Sequence, residues 1–212
     1  MDKISSQRIS LSIYFLLLGF CFATWASRIP SIKTNFNFDE AELGNLLLVM
    51  PISSLIGLPI SGWLVSKFNS RIPLLVSYMI LCLSLVMIGF ASNLEYLVIG
   101  VALFAFCTRI DNISVNTQSI TLQKQSEKKI IGSFHGLWSI GGLAGALVST
   151  LLVQAGVKMV DHFLYVSIFS LVLGVFSYPF LIAKDKSEIG NKLIIGKPDK
   201  YILYLGLMVF FG

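Results

Sequence analysis

Two charged residues lie in the middle of the most polar of the long apolar runs, and they are the strongest candidates for chemistry in this sequence. Arg109 and Asp111 occur about midway along the run from Tyr96 to Leu122. An apolar run of this length suits a membrane span. A charge at the centre of a bilayer costs about 2.5–3.5 kcal/mol on insertion scales. Each of the two side chains is therefore expected to face a partner or a water-filled cavity.

Helical periodicity places Arg109 in a polar stripe on one side of this span. At about 100° per residue, the stripe contains Arg109, Asn112, Asn116, Ser119 and Gln123. These residues are predicted to line a polar pathway in which Arg109 binds an anionic or hydroxyl-rich solute. The alternative is that Arg109 forms a structural ion pair or extends its side chain toward the membrane surface.

Asp111 is predicted to point to nearly the opposite side of the same helix, together with Ser114 and Gln118. Residues two positions apart do not face each other on a helix, so Arg109 and Asp111 are not expected to form a local pair. Burial favours the protonated form of a carboxyl group, which makes Asp111 a candidate proton carrier. The alternative role is a hydrogen-bonded packing residue.

Further candidates lie in two other apolar runs. His135 and Trp138 are about one helical turn apart in the run from Ile130 to Val153. His135 is a candidate for titration in a coupling cycle, and Trp138 for stacking against a ligand. A hydrogen bond between helices and core packing are the competing roles. Trp25 and Arg28 lie at the end of the first apolar run, where Trp25 is predicted to be an interfacial anchor.

Long apolar helices must position these residues. The 212 residues are 55% apolar and 13% charged, whereas a typical soluble domain is about 25% charged. The runs long enough to span a bilayer are 9–26, 43–65, 72–91, 96–122, 130–153 and 163–183. A last apolar run, 201–212, is too short to cross and is predicted to be the truncated start of a seventh span.

Lysine and arginine are distributed unequally between the two sides that these spans create. The loops after spans one, three and five hold only Arg28, Lys33 and Lys158. Apart from Arg109, all the others lie before span one or after spans two, four and six. The positive-inside rule then places the N-terminus in the cytoplasm. The sequence therefore predicts a multi-pass protein in the plasma membrane, which in a bacterium is the inner membrane.

Spans two and five align without gaps at an offset of 88 residues. The identities include Gly44 with Gly132, Ile52 with Ile140, Gly57 with Gly145, and Ser61 with Ser149. The same offset places span one on span four and span three on span six. A repeat of three spans is inserted upside down, which is a signature of transporters. The glycines of span five, at 132, 136, 141, 142 and 145, are predicted to permit close contact between helices.

Other classes of protein find little support. The sequence contains no HExxH, no GxSxG and no phosphate-binding glycine loop, so an enzyme is not expected. Cys21, Cys82 and Cys107 lie in apolar runs without CxxC spacing, which argues against a metal site or a disulfide framework. The basic residues do not form one patch between aromatic residues, as nucleic-acid binding requires. No cofactor, metal or nucleic acid is predicted.

The loop after span two carries a resemblance to a known family. The segment Gly62–Arg71 (GWLVSKFNSR) resembles the GxLaDrxGrr motif of the major facilitator superfamily, MFS, in place and spacing. Gly62, Leu64, Lys67 and Arg71 fit the motif, whereas Ser66 replaces the usual acid and Asn69 the usual glycine. The resemblance implies that Gly62, Lys67 and Arg71 belong to a loop that governs conformational closure, although the usual acidic partner is missing.

Two further stretches resemble a bacterial branch of this superfamily near the fucose–proton symporter. Ala23–Ile32 (ATWASRIPSI) resembles its WAxRxPxI segment, and Phe134–Gly142 (FHGLWSIGG) resembles its HGxxSxG stretch. In span four the branch often reads DxxxN followed by a glutamate. Asn116 fits the asparagine, while Asn112 and Gln123 occupy the positions of the two acids.

Together, the residues and the resemblance imply two groups of site residues. The predicted solute-binding residues are Arg109, Asn112, Asn116, Trp138 and Arg28. The predicted proton-coupling residues are His135 and Asp111, which lies one position before the acid of the branch.

Family members have twelve spans, so the resemblance implies that this chain corresponds to an N-terminal half. Residues 1–183 are predicted to form an all-α, six-helix MFS bundle of two inverted three-helix repeats. Residues 184–200 are predicted to be the central cytoplasmic loop, followed by 201–212. The implied function is proton-coupled uptake of a small polar solute such as a sugar, by alternating access with a missing C-terminal half. Efflux of a drug or metabolite, and a non-transporting six-span structural or regulatory protein, are the alternatives.

Overall fold

The computed structural model describes residues 3–185, and helices account for nearly all of this range. The helices are α1 (Lys3–Ser27), α2 (Ile29–Phe36), α3 (Glu40–Lys67), α4 (Arg71–Gly89), α5 (Leu94–Gln123), α6 (Ile131–Gln154) and α7 (Met159–Ser177), and a 3-10 turn follows at Tyr178–Phe180. With α1 and α2 counted together, six segments of the described range are long and apolar enough to cross a membrane. The all-α, multi-pass membrane fold is thereby confirmed. The predicted start of a seventh span and most of the predicted central loop lie outside the described residues.

Local sequence explains how the chain turns between α2 and α3. Asn37 ends α2 in the left-handed conformation, with φ of 52°, which asparagine tolerates better than most residues. Asp39 then caps α3: its side chain accepts from the backbone N–H of Glu42, and the Glu42 carboxylate accepts from the N–H of Asp39. This capping box supplies partners for two N–H groups that a helix start leaves unpaired. Once started, α3 continues through Pro51 and Pro59.

The internal repeat predicted from sequence is visible in the burial of α3 and α6. The buried residues of α3 are Leu46, Ser53, Gly57 and Ser61. Those of α6 are Phe134, Gly141, Gly145 and Ser149. Taken in order, each buried residue of α6 lies 88 positions after the corresponding buried residue of α3, which is the offset of the sequence repeat. In addition, α3 packs mainly on α5 whereas α6 packs mainly on α1, the equivalent helix of the other repeat. The two inverted three-helix repeats are therefore confirmed.

The backbones of α1 and α6 are in direct contact because glycine stands at the points where they cross. A Cβ atom added to Gly19 would lie 2.0 Å from the carbonyl oxygen of Trp138. One added to Gly141 would lie 1.9 Å from the carbonyl oxygen of Leu16. Small residues at such crossings let membrane helices approach closely, and the resulting van der Waals packing contributes to their association in lipid.

The same role was predicted for all five glycines of α6, and two of them make no such contact within residues 3–185. At Gly132 and Gly136, no atom of the described residues lies within 4 Å of an added Cβ. Both glycines are exposed. The close approach therefore depends on Gly141 and Gly145, with Gly142 making an ordinary van der Waals contact.

Aromatic side chains fill the centre of the bundle. Tyr14 of α1 and Tyr78 of α4 meet edge to face, with ring centroids 5.3 Å apart. Trp25 is 3% exposed and stacks on Phe104 of α5 at 5.8 Å. The prediction that Trp25 is an interfacial anchor is therefore wrong: its ring belongs to the packed core between α1 and α5.

Candidate functional site

One side of α5 is buried inside the bundle. Asp111, Ser114 and Gln118 all lie on this side and are almost fully buried. Asp111 accepts a hydrogen bond from the Ser77 hydroxyl of α4. Its second carboxylate oxygen and the Ser114 hydroxyl have no hydrogen-bond partner within residues 3–185. An unsatisfied polar atom at this depth is costly, so Asp111 is a candidate for function as well as for packing.

The opposite side of α5 carries Arg109, Asn112 and Asn116, all of them half-buried. The stem of Arg109 packs on α3 at Gly57, where an added Cβ would lie 3.3 Å from the Arg109 Cβ. The Arg109 Nε atom is buried without a hydrogen-bond partner, and no ion pair to this arginine occurs among the described residues. The Asn116 amide donates to the Asn112 carbonyl at 2.7 Å. Within residues 3–185, Arg109 therefore presents an uncompensated positive charge beside two side-chain amides.

The polar stripe of α5 is shorter than the sequence predicts. Ser119 is buried and donates to the Asn116 carbonyl at 2.8 Å. Gln123 is used at the end of the helix, where it accepts from the Ile130 N–H at 2.8 Å and donates to the Lys128 carbonyl at 2.9 Å. These bonds close the connection to α6. The residues of the stripe that are half-buried and take no part in the connection to α6 are thus Arg109, Asn112 and Asn116.

His135 and Trp138 lie on α6 beside α1. The exposed His135 ring stands edge-on to Phe15, with centroids 5.6 Å apart. Trp138 is half-buried, and its ring lies 6.2 Å from Phe22. These aromatic contacts are all with α1, and α6 makes few contacts with α5. The predicted site residues are therefore distributed over two helices that α1 separates.

Arg28, the remaining predicted solute-binding residue, is engaged at the far end of α1. It is 4% exposed. Its Nε donates to Nδ1 of His162 at 3.0 Å, and its Nη2 donates to the Val157 carbonyl at 2.8 Å. Arg28 thereby ties α1 to the start of α7, whereas the Arg109 stem contacts α3. Sequence reasoning missed this pair because 134 positions separate its two partners.

The cysteines behave as small core residues. Cys21, Cys82 and Cys107 are buried free thiols, and the thiol of Cys21 lies 3.4 Å from the Ser170 hydroxyl. Buried thiols of this kind usually contribute packing. In the part of the chain that the structure describes, no group of three His, Cys, Asp or Glu residues is placed to hold a metal ion.

The loop between α3 and α4 is held by an acid that follows α7. Asp185 accepts from both the backbone N–H and the hydroxyl of Ser70, the former at 2.9 Å. Gln118 donates to Asp185 at 3.0 Å and also exchanges two hydrogen bonds with the backbone of Ile182. Asp185 thus supplies a carboxylate to the loop in which Ser66 replaces the usual acid. Sequence reasoning missed this role; the only signal was that Gln118 lies on the inward side of a polar helix.

The three residues predicted for the loop after span two lie in helices instead: Gly62 and Lys67 belong to the end of α3, and Arg71 begins α4. Gly62 is exposed, and in the described part of the chain no atom lies within 4 Å of an added Cβ there. The Lys67 ammonium lies 4.6 Å from the centroid of the Trp63 ring, and the Arg71 guanidinium 5.6 Å from that of Tyr178. Among the described residues neither cation has an acidic partner. Cation–π contacts and the bonds of Asp185 order this loop in place of a charge relay.

Replacing Asp185 with alanine is expected to release the loop between α3 and α4. The change leaves the Ser70 N–H and the Gln118 amide without their acceptor, and each such loss costs about 1–3 kcal/mol. Hydrogen–deuterium exchange of the full-length protein should show faster exchange at Ser70 and its neighbours. The control is Asp161→Ala, which removes another half-buried acid. Equal protection of the Ser70 region in wild type and Asp185→Ala would contradict the role given to Asp185.

Comparison with known proteins places these features in a family. Residues 11–210 match the Major Facilitator Superfamily. An uncharacterized MFS-type transporter of Yersinia pestis is 25% identical over 97% of this chain and 53% of its own length. An uncharacterized transporter of Sinorhizobium fredii is 30% identical over 82% of this chain and 46% of its own length. The nitrite extrusion protein of Bacillus subtilis is 25% identical over 87% of this chain and 46% of its own length. The chain spans about half the length of the curated relatives it matches.

The family match agrees with the fold. It covers most of the chain, from the first membrane helix onward, and the described helices have the inverted three-plus-three arrangement found in each half of an MFS transporter. Relatives that match over most of this chain are named as transporters and not as enzymes. The chain belongs to the Major Facilitator Superfamily.

Proposed function

We propose that the protein is a secondary transporter that moves a small polar solute by alternating access, with the solute bound at Arg109. The observation that carries this proposal is the uncompensated guanidinium of Arg109 beside Asn112 and Asn116. A charge in the middle of a membrane helix is costly unless a ligand, water or a partner chain compensates it. A solute with hydroxyl or anionic groups offers such compensation, and a small sugar is the class that we favour.

The binding site is proposed to lie between this bundle and a second six-helix half. Helices α3 and α6 each bury only four residues, which leaves most of their length uncovered in the described structure. The chain also spans about half the length of its relatives. In transporters built from such repeats, solute binds near the midplane at the interface between repeats. Trp138 and Arg28 are proposed to contribute to this site in a state in which Arg28 leaves His162.

Uptake driven by protons is the proposed mode of transport. It is supported by the two stretches that resemble the fucose–proton symporter branch, Ala23–Ile32 and Phe134–Gly142. The proposed membrane is the plasma membrane, the inner membrane in a bacterium, with the N-terminus in the cytoplasm, because that side collects most of the Lys and Arg residues. Efflux is the second candidate, since one relative is named as a nitrite extrusion protein.

Asp111 and His135 are the proposed proton-coupling residues. Replacing Asp111 with asparagine should abolish proton-driven accumulation while leaving solute exchange without a gradient, because the amide keeps the shape and the Ser77 contact but carries no titratable proton. The measurement is uptake by the reconstituted full-length protein with and without an imposed pH gradient. His135→Gln provides the parallel test on α6. An unchanged dependence on the gradient in Asp111→Asn would assign this residue to packing alone.

Transport itself is tested by a solute panel in proteoliposomes of the full-length protein. Labelled sugars, carboxylates and nitrite are offered with the lumen either more alkaline or more acidic than the outside. We expect a sugar to accumulate when protons flow inward with it. Export driven by the opposite gradient would replace uptake with efflux. Absence of transport for every solute class under both gradients would overturn the proposal.

A further inference from the structure

An apolar groove opens on the side of the bundle between α3 and α4. Its volume is about 360 Å³, and α5 forms its floor. The groove exists because α3 and α4 both pack on α5 but make few contacts with each other. Apolar side chains dominate its walls, among them Leu64, Ile72, Val76, Leu103 and Phe106.

The groove offers little to a polar ligand along its length. Of the side chains that line the groove, only those of Ser77 and Cys107 carry a polar group, a hydroxyl and a thiol, respectively. The Ser77 hydroxyl is already engaged with the Pro73 carbonyl, at 2.6 Å, and with Asp111. A non-helical peptide segment in this groove would bring backbone N–H and C=O groups to a depth where nothing satisfies them, which membranes do not tolerate. An extended hydrocarbon chain has no such requirement.

A positive charge stands at one mouth of the groove. Phe68, which ends the groove, lies beneath the Lys67 ammonium, with 5.5 Å between the nitrogen and the ring centroid. Lys67 is exposed and has no ion-pair partner within residues 3–185. Arg71 begins α4 directly before the lining residue Ile72. The neighbouring acid, Asp185, is occupied by hydrogen bonds from Ser70 and Gln118.

We propose that this groove is a binding site for an anionic phospholipid, with an acyl chain lying along α5 and the phosphate at Lys67. The apolar walls match the chain, and the basic mouth matches the headgroup. Basic pockets between membrane helices are known to bind acidic headgroups. The site is distinct from the proposed solute site, because its lining residues include none of Arg109, Asn112 and Asn116.

Native mass spectrometry of the full-length protein tests the site, with phosphatidylglycerol and phosphatidylcholine of identical chains as probes. We expect the first phosphatidylglycerol to bind about tenfold more tightly than phosphatidylcholine. Lys67→Gln should lower that preference by about fivefold. This loss corresponds to the contribution of about 1 kcal/mol that one basic residue makes near an anionic membrane. Lys124→Gln, which removes an exposed charge from the end of α5, should leave the preference unchanged.

A second pair of variants tests the groove itself. Val76→Trp fills it from α4 and should lower the retention of both lipids, whereas Val172→Trp on α7 should not. The two valines are 53% and 47% exposed, so the substitutions are matched. If Val76→Trp fails to fold, Leu103→Trp fills the same groove from α5. Equal affinity for the two lipids, equal effects of Lys67→Gln and Lys124→Gln, or full lipid retention in the filled variant would each overturn the proposal. A dimer that Val76→Trp dissociates without loss of lipid would also overturn it, in favour of a second copy of the chain.

Discussion

Replacing Gly141 with leucine is expected to abolish the docking of α6 on α1 and to leave little folded protein. A Cβ atom at this position would lie 1.9 Å from the Leu16 carbonyl oxygen and 3.0 Å from the Leu16 Cα. The clashing atoms are backbone, so no side-chain rotation relieves the overlap. The two helices must separate, and with them the largest helix–helix interface of the bundle is lost.

The size of this effect follows from the cost of overpacking. Inserting extra carbon atoms into a packed interior typically costs about 1–3 kcal/mol, and occasionally more. A clash between two backbones belongs at the upper end, so even Gly141→Ala should lower the free energy of unfolding measurably. The yield of monodisperse protein in size-exclusion chromatography and the thermal unfolding midpoint are the measurements.

A matched control is available on the same helix. Gly136 is exposed, and no atom of residues 3–185 lies within 4 Å of an added Cβ, so Gly136→Leu should lower the yield and the melting temperature far less than Gly141→Leu. Leucine has a higher helix propensity than glycine, which favours the control further. If the Gly136 and Gly141 variants showed the same yield and stability, the direct backbone contact between α1 and α6 would be contradicted.

Arg109→Ala is expected to abolish transport while leaving membrane insertion and folding intact. The guanidinium has no partner within the described residues, so its removal breaks no bond that stabilises the bundle. A hydrogen bond to a charged group contributes about 1.5–3 kcal/mol, which corresponds to a loss of about 10-fold to 100-fold in solute affinity. Uptake by the reconstituted full-length protein and its thermal unfolding should be measured side by side.

Two further variants make this test specific. Arg109→Lys retains the charge but loses the planar fork of donors, so solute affinity should fall less than in Arg109→Ala. Arg8→Ala removes an exposed arginine from α1, near the N-terminus, and should transport normally. Normal uptake by Arg109→Ala would remove this residue from the site. A loss of folding in this variant would instead assign the guanidinium to a structural ion pair, made with a part of the protein outside residues 3–185.

Much of the fold could be predicted because the signals are local. A membrane span is encoded by its own length and hydrophobicity, and the predicted spans overlap the observed helices throughout residues 3–185. The repeat could also be predicted, since equivalent helices bury equivalent positions such as Gly57 and Gly145. Helical periodicity correctly separated Arg109 from Asp111, which face α3 and α4, respectively.

The arrangement of the candidate site could be predicted only in part. Ser119 and Gln123 have the right spacing for the polar stripe, yet one is buried and the other closes the loop to α6. Trp25 has the position of an interfacial anchor, yet it stacks on Phe104 in the core. In each case the periodicity is the same, and the neighbouring helix decides what the residue does.

The sequence by itself determined the membrane spans, the inverted repeat and the resemblance to the family. The spans depend on apolar length, the repeat on the order of residues along the chain, and the resemblance on short motifs. Only the tertiary structure decided that Gly141 crosses α1 whereas Gly136 does not, that Arg28 binds His162, and that Asp185 orders the loop at Ser70. The physical reason is that these contacts join residues more than a hundred positions apart. Their formation depends on how the helices rotate and cross in the bundle, which no local pattern in the chain specifies.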